Sequence, residues 1–220
     1  MNALVIAPHP DDEVLGAGGT IAKLADTGNE IDVVVVTKAC PPDFDENDLI
    51  RGRNEALKAH NILQVRNTYF LDFPAASLDM TPHREINSAL SEIINKLEPD
   101  LVFVPFPGDI HMDHQRAFLS AIVSVRPRGK YSPRSVYAYE TLSETNWGAP
   151  YLMPGFIPNV FFDISSHMEK KIEAAQAFVS QIKPFPDERS IKGIRALAAL
   201  RGSTVNRTAA EAFVLIRQLH

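Results

Sequence analysis

The sequence predicts an α/β fold in which helices cover both faces of a mainly parallel β-sheet. Apolar runs at residues 3–7, 31–36 and 101–106 alternate with segments of helical spacing. The run at 31–36 is almost entirely β-branched, which is typical of strands buried on both faces. A chain of 220 residues with 45% hydrophobic content can bury one core, so residues 1–220 are predicted to form a single Rossmann-like domain.

The helices and strands of the first half are predicted from apolar runs and from the residues that begin or end helices. A strand at 3–7 leads to a helix at 20–27, which Gly28 and Asn29 end. Pro82 suits the first turn of a later helix. The other elements predicted in this half are strands at 31–36, 68–71 and 101–106 and helices at 51–62 and 82–97. This alternation predicts parallel strands joined by right-handed crossovers.

The second half is predicted mainly from capping residues. Asp113 is expected to cap a helix at 115–125, which places His114 in the first turn. Ser166 and Glu169 match a capping box for a helix that runs to about residue 182. The remaining segments are strands at 135–140 and 160–164, helices at 195–200 and 209–219, and an irregular lid at 143–158 that is rich in Gly and Pro.

Composition argues against several classes of protein. The chain carries 27 acidic and 22 basic side chains and no long basic run, so a nucleic-acid partner is not expected. No stretch reaches the roughly 18 to 20 apolar residues of a membrane span, and the N-terminal apolar run has no basic leader. Cys40 is the only cysteine and cannot form an internal disulfide. We therefore predict a cytoplasmic protein without a membrane span.

Two clusters of acids and histidines follow predicted strand ends. Residues 9–13 are His-Pro-Asp-Asp-Glu, directly after the first strand, and residues 111–114 are His-Met-Asp-His, after the strand at 101–106. In an open parallel sheet, ligands bind in the crevice at the carboxyl ends of the strands. Both clusters are therefore expected to meet there, and a divalent metal ion is the simplest reason to bring them together.

The residue types in these clusters indicate hydrolysis. Catalytic zinc sites use three nitrogen or oxygen ligands and keep a fourth position for water, whose pKa the metal lowers to about 7. The clusters hold more acids than three ligand positions need, and a surplus carboxylate can take a proton from that water. From the residues alone, either Asp11 or Asp12 suits each of these two roles. The candidates are His9, Asp11, Asp12, Glu13, His111, Asp113 and His114.

Other features carry weaker signals. The segment 16–19 does not complete the dinucleotide-binding pattern G-x-G-x-x-G, because position 21 is Ile21, so no nucleotide cofactor is expected. On the helix after the second strand, an arginine is placed either to contact a ligand or to form a solvated face. Four histidines lack an acidic or histidine partner at ligand spacing and are predicted to have no role in the site: His60, His83, His167 and His220.

The sequence resembles one family over nearly all of its length. The motifs at residues 7–13 and 111–114 are together similar to those of the PIG-L/LmbE family of zinc-dependent N-deacetylases. Further similar features follow in family order at 16–19, 53–55, 201–202 and 210–213. The resemblance implies an enzyme that removes the acetyl group from a small N-acetyl-amino-sugar conjugate, such as a thiol precursor, a lipid, an oligosaccharide or a sugar nucleotide.

The resemblance also assigns the metal ligands and the base. It implies that His9, Asp12 and His114 bind one zinc ion. Asp11 is then the general base that activates water. This assignment gives the two neighbouring aspartates different roles, which the residue types alone leave open.

Supporting roles follow from the same resemblance. His111 is expected to stabilise the tetrahedral oxyanion and to help protonate the leaving amine, with Asp113 orienting His111 or tuning its pKa. Arg53 is the candidate for substrate contact, although Arg51 lies close enough in sequence to be the matching arginine. Family members also suggest a homo-oligomer, either a trimer or a hexamer.

Two alternatives are consistent with the residue types. A phosphoesterase also uses acids and histidines, usually with two metal ions about 3.5 to 4 Å apart. A binding protein braced by a metal ion instead uses four protein ligands and leaves no open position, and the surplus Asp11 argues against it. The number of bound ions and the completeness of the ligand shell distinguish these alternatives.

Overall fold

The computed structural model describes residues 1–127 and 131–220, whose strands form one sheet. The strands are β1 Asn2–Ala7, β2 Glu30–Lys38, β3 Asn67–Pro74, β4 Leu101–Pro105, β5 Ser135–Tyr139, β6 Val160–Asp163 and β7 Ala210–Gln218. The helices are α1 Asp12–Asp26, α2 Glu46–Leu63, α3 His83–Leu97, α4 Met112–Ser124, α5 Met168–Ala177 and α6 Ile191–Thr204. The strand order is β3-β2-β1-β4-β5-β7-β6, and β7 runs opposite to the other six strands. The predicted mainly parallel sheet is confirmed.

Both faces of this sheet are covered. Successive residues of a strand point to opposite faces, so Val5 and Val33 pack with α1, α2, α5 and α6. Leu4 and Val34 pack on the other side with α3 and α4. The nearly unbroken apolar run of β2 is therefore a consequence of burial on two sides, as predicted.

The strand order places a crevice beside β1. From β1 the chain crosses through α1 to β2 on one side, and from β3 it returns through α3 to β4 on the other side. Ligand sites in open α/β sheets lie at this reversal of strand order, outside the carboxyl ends of the strands. The residues after β1 and β4 therefore face the same crevice.

The first helix begins earlier than predicted. The sequence predicted a start at residue 20, whereas α1 begins at Asp12 and contains the glycines. A Cβ at Gly16 would lie 2.2 Å from the Tyr139 ring, and a Cβ at Gly19 would lie 2.6 Å from Ile164 Cδ1. These glycines reduce helix propensity but let α1 pack closely against its neighbours, so they are not breakers here.

The last element is a strand, not the predicted helix at 209–219. The segment is rich in residues of good helix propensity, such as Ala, Glu and Leu. In the structure, β7 pairs with both β5 and β6, and this long-range pairing overrides the local preference. Two other helices are longer than predicted: α2 begins at Glu46 rather than at residue 51, and α6 covers Ile191–Thr204 rather than 195–200.

The predicted capping box before α5 is wrong. His167 occupies the N-cap position and makes no side-chain capping bond, and α5 ends at Ala177 rather than near residue 182. Glu169 instead bonds to Arg195. The segment 143–158 is irregular, as predicted, apart from a single 3₁₀ turn at Thr145–Trp147. Among the described helices, none combines the length and hydropathy that a membrane crossing requires.

Candidate metal centre and active site

The turns after β1 and β4 bring the two polar clusters together. Pro8 is tied to β2, because its carbonyl accepts the backbone N–H and the hydroxyl of Thr37 at 3.0 and 2.8 Å. His9 follows Pro8, while His111 and His114 lie at the start of α4. The ring centroid of His9 lies 4.6 Å from that of His111 and 5.4 Å from that of His114. Three imidazoles from two remote segments thus converge at one end of the sheet.

Asp12 lies between two of these imidazoles. Its Oδ2 atom is 3.3 Å from His9 Nδ1 and 3.2 Å from His114 Nε2. The remaining nitrogen of each ring is hydrogen-bonded to another acid, His9 Nε2 to Asp113 at 2.9 Å and His114 Nδ1 to Asp109 at 2.8 Å. Metal-binding histidines have this arrangement, in which a carboxylate orients the ring from the side opposite the ion.

The unpaired atoms of this group fit a divalent metal ion. His114 Nε2 and Asp12 Oδ1 are buried and have no hydrogen-bond partner within the described part of the chain. A buried polar atom without a partner is destabilising, and an ion bound at this point would satisfy both atoms. The ligand atoms of His9, Asp12 and His114 lie within 4.8 Å of one another. Two nitrogens and one oxygen form a donor set suited to zinc, with a position left for water.

A second group of candidate ligands overlaps with the first. It consists of His9, His111 and Asp113. Its carboxylate is already engaged, because Asp113 accepts hydrogen bonds from His9 Nε2 and from the backbone N–H groups of Ala76 and Leu78. Since both groups need His9 and only the first contains unpaired buried atoms, the geometry favours one ion.

Charge at this point of the structure also favours a cation. Burial lowers the pKa of His9, but hydrogen bonds to Asp113 and Asp12 outweigh it and raise the pKa to about 9. Burial likewise lowers the pKa of His114, which the charge of Asp12 and the bond to Asp109 raise to about 10. Burial opposes ionisation of Asp12, yet the charge of His114 holds its pKa well below the usual value. The acids here attract positive charge, as a proton or as a metal ion.

Asp11 presents a separate carboxylate to the site. It is the N-cap residue of α1, but its side chain makes no capping bond and instead accepts a hydrogen bond from Arg189 Nη1 at 2.8 Å. Burial and the charge of Asp12 raise the pKa of Asp11 to about 8, against the opposing effect of Arg189. A carboxyl group with a pKa near neutrality, next to a candidate metal ligand, has the properties of a general base.

His111 has a fixed tautomer when it is neutral. It is the N-cap of α4, and its Nδ1 atom accepts the backbone N–H of Asp113 at 3.1 Å. Burial and the positive charge of His9 lower the pKa of His111 to about 4. The proton of the neutral ring is therefore on Nε2, which is a donor.

Asp113 contacts different partners from those expected. The prediction that Asp113 caps α4 is wrong, because His111 occupies that position, although His114 does lie in the first turn. The carboxylate of Asp113 bonds to His9, and Asp113 contacts Nδ1 of His111 only through its backbone N–H.

A cavity of about 300 Å³ opens beside these residues. Its wall includes His9, Asp11, His111, Glu144, Arg189, Arg51 and Arg53. Arg53 pairs with Asp72 and lies 4.8 Å from the centroid of the Phe70 ring, while the more exposed Arg51 pairs with Asp48. Both candidate arginines thus line the cavity, which is at the lower end of the size range of small-molecule sites.

Comparison with known proteins identifies the family of this chain. The family PIG-L, described as GlcNAc-PI de-N-acetylase, matches residues 4–125. The chain belongs to the PIG-L family. It is 31% identical over 193 residues to diacetylchitobiose deacetylase of Thermococcus kodakarensis, a match that covers 84% of this chain and 70% of the relative.

Solved structures show the same fold as this PIG-L chain. N,N'-diacetylchitobiose deacetylase of Pyrococcus horikoshii matches with a TM-score of 0.78 and 27% identity, over 98% of this chain and 83% of that one. The 4-carboxy-2-hydroxymuconate hydratase of Pseudomonas putida KT2440 matches with a TM-score of 0.80 and 23% identity, over 100% and 97% of the two chains. The fold of PIG-L proteins therefore does not define the reaction by itself.

Several site residues of this PIG-L chain were not predicted. Arg189 lies in the segment before α6, and besides Asp11 its guanidinium bonds to Glu144 Oε1 at 3.2 Å and to Ser143 Oγ at 2.7 Å. No motif surrounds Arg189, and 178 residues separate it from Asp11. Asp109 carries a weak sequence signal, since it is an acid five residues before a candidate ligand.

His60 has no acidic partner at ligand spacing in the sequence, but the fold supplies one. His60 is buried, and its Nε2 atom lies 3.0 Å from Glu13 Oε1. This contact joins α2 to the first turn of α1. Sequence spacing gave no indication of it, because the two residues are 47 positions apart.

Proposed function

We propose that this protein is a zinc-dependent deacetylase that hydrolyses the acetamide of an N-acetyl-amino sugar to an amine and acetate. The observation that best supports it is the arrangement around Asp12, with two imidazoles that each bond to a second carboxylate and direct the other nitrogen towards one point. Deacetylase is also the activity in the names of the two diacetylchitobiose relatives. In this proposal His9, Asp12 and His114 hold the ion.

Each residue of the site has a defined task in this reaction. When bound, zinc polarises the scissile carbonyl and lowers the pKa of water. Asp11 takes the proton from the attacking water, and Arg189 favours the ionised form of Asp11 that this step needs. His111 donates Nε2–H to the oxyanion that develops on the carbonyl oxygen. The lowered pKa of His111 supports this role more than that of proton donor to the amine.

The secondary contacts support a rigid site. Asp113 orients His9, and Asp109 orients His114, so both rings keep the rotation that metal binding requires. Arg53 remains the candidate for contact with sugar hydroxyl groups, because it lines the cavity and its guanidinium is held by Asp72 and Phe70. The trimeric or hexameric assembly and the cytoplasmic location also stay predictions of the sequence.

The proposal is tested by the products of the zinc-loaded protein. Incubation with N,N'-diacetylchitobiose, N-acetylglucosamine and N-acetylglucosaminyl conjugates is expected to release acetate and primary amine in equal amounts. A chelator should stop the release, and added zinc should restore it. Asp11→Asn should lower kcat by about 10² to 10⁴ and leave zinc content unchanged.

Other outcomes would favour other reactions. Zinc-loaded protein that releases no acetate from any N-acetyl sugar contradicts the proposal. Two ions per chain together with phosphate release would support the phosphoesterase alternative. Loss of a carbon–carbon double bond from an unsaturated tricarboxylate would support a hydratase, which the shared fold makes a necessary control.

A further inference from the structure

A buried chain of hydrogen bonds leads from β3 to the backbone of Asp11. Thr68 Oγ1 lies 2.7 Å from His60 Nδ1, and His60 Nε2 lies 3.0 Å from Glu13 Oε1. The other carboxylate oxygen of Glu13 accepts the backbone N–H of Asp11 at 3.2 Å. Glu13 is 0% exposed and His60 is 2% exposed. With Glu13 as the acceptor, His60 donates through Nε2, and in that tautomer Nδ1 accepts a hydrogen bond from the Thr68 hydroxyl.

The backbone of Asp11 needs such support. Its φ of 127° lies in a region that favours glycine and is strained for aspartate. An aspartate at an N-cap normally uses its carboxylate to accept an N–H of the first helical turn. Asp11 makes no such bond, although its carbonyl accepts the N–H groups of Val14 and Leu15. The strained backbone thus leaves the carboxylate free of the helix and available to the cavity.

We propose that Glu13 and His60 are positioning residues for Asp11. Glu13 binds the N–H of Asp11 and stabilises the strained conformation, and His60 fixes the carboxylate of Glu13. This inference rests on the proposed function, because the role of Asp11 as the base gives the positioning its purpose. Neither Glu13 nor His60 is among the described residues that line the cavity, so both act on the reaction only through their neighbours.

Glu211 of β7, a second buried acid that contacts α1, provides a matched control. Glu211 accepts the backbone N–H groups of Gly19 and Thr20 at 2.8 and 2.7 Å and pairs with Lys171 at 2.6 Å. Like Glu13, it is a buried carboxylate that binds main-chain donors of α1. It contacts the middle of the helix rather than Asp11. The effect of losing a buried carboxylate that binds α1 can therefore be distinguished from the effect of losing the contact to Asp11.

The kinetic test compares three substitutions in zinc-loaded enzyme with N,N'-diacetylchitobiose. Glu13→Ala is expected to lower kcat by about 10²-fold, because small misplacement of a reacting group has effects of this size, with KM and zinc content unchanged. Glu13→Gln should restore most of kcat, because its amide oxygen can accept the Asp11 N–H. Glu211→Ala should lower Tm but leave kcat at the wild-type value. Equal losses of kcat in Glu13→Ala and Glu211→Ala would overturn the inference.

A double-mutant cycle separates this inference from the proposed function. If Glu13 acts through Asp11, Glu13→Ala should cause no further loss of kcat in the Asp11→Asn background. The same fold loss in both backgrounds would overturn the positioning role while leaving the base assignment intact. Full activity of Asp11→Asn alone would instead refute the base assignment.

A structural measurement tests the inference without any substrate. In a crystal structure of Glu13→Ala, Asp11 is expected to relax to a negative φ and to lose its 2.8 Å contact with Arg189. His60→Leu should produce the same change in part, because it leaves the carboxylate of Glu13 without its anchor. Retention of a φ near 127° in Glu13→Ala would contradict the proposal.

Discussion

The metal corner and the rim loop contribute to the cavity in different ways. The metal corner comprises His9, Asp12 and His114 with their partners Asp109 and Asp113, and its acids and His114 are buried and hydrogen-bonded. The rim loop, residues 143–158, has one 3₁₀ turn and exposes large apolar side chains, with Tyr151 98% and Leu152 87% exposed. Of the described residues in the rim loop, Glu144 alone lines the cavity. The strand ends thus hold the buried polar groups, and we expect the loop to affect substrate binding rather than the chemical step.

Two adjacent residues connect these regions. Glu188 accepts hydrogen bonds from the backbone N–H of Ser143 and from the side chains of Asn146 and Trp147, which hold the start of the rim loop. Arg189 bonds to Asp11 beside the metal corner. Variants on the two sides of this connection should therefore change different kinetic constants.

The largest effect is expected from Asp12→Ala in the metal corner. Asp12 Oδ2 lies within 3.3 Å of the free nitrogen of both His9 and His114, so its removal should reduce zinc from one ion per chain to nearly none and abolish deacetylation. Elemental analysis of the folded protein measures this. Asp26→Ala, which removes an exposed acid at the other end of α1, is the control and should retain full zinc content. A stoichiometric ion in Asp12→Ala would place the ligand set elsewhere.

The fold of the metal corner follows largely from the sequence, because strand ends and residue types are local features. The apolar runs of β1 and β4 and the polar residues that follow them predict where His9 and His114 meet. By contrast, Arg189 and His60 reach the site through contacts across 178 and 47 residues, to Asp11 and Glu13 respectively. The periodicity of apolar residues in the sequence gives no information about such long-range contacts.

The incorrect predictions of secondary structure have the same cause. Residues of β7 have local helix propensity, and only pairing with β5 and β6 makes the segment a strand. The predicted start of the first helix at residue 20 lies after these glycines, and the approach of Tyr139 and Ile164 explains why α1 contains Gly16 and Gly19. In both cases the deciding interaction is with a distant part of the chain.

A smaller effect on zinc binding is expected from an acid that bonds to the ring nitrogen of a metal-ligating histidine opposite the ion. Asp109→Asn removes the charge that holds His114 Nδ1 and should weaken zinc affinity by about 10 to 100-fold, as is typical for such supporting residues. Competition with a chromophoric chelator measures the affinity. Thr145→Val removes only the hydroxyl that bonds the other oxygen of Asp109 and should have a weaker effect. Unchanged affinity in Asp109→Asn would show that the ring of His114 needs no such support.

The connection between the two regions is tested by pH dependence. Arg189 lowers the pKa of Asp11, so Arg189→Met should raise that pKa. Because the base must be deprotonated, activity on the acid side of the profile should then require a higher pH. Arg189→Lys keeps the charge and should shift the profile less. An acid limb of kcat/KM that stays in place, or moves to lower pH, would contradict a role of Arg189 in ionising Asp11.

The smallest effect is expected in the rim loop. Glu188→Ala removes three hydrogen-bond acceptor contacts to residues of the 143–147 segment, which should loosen the loop and raise KM while kcat and zinc content remain unchanged. Glu188→Gln retains an oxygen acceptor and should raise KM less. A fall in kcat at constant KM would mean that the rim loop takes part in the chemical step.

Anomalous diffraction at the zinc edge, from crystals of the zinc-loaded protein, would show directly which residues bind the ion. We expect a single peak about 2.0 to 2.2 Å from ligand atoms of His9, Asp12 and His114, with a further coordination position open to solvent beside Asp11. A peak at other residues, a second ion of equal occupancy, or a shell closed by four protein ligands would contradict this expectation.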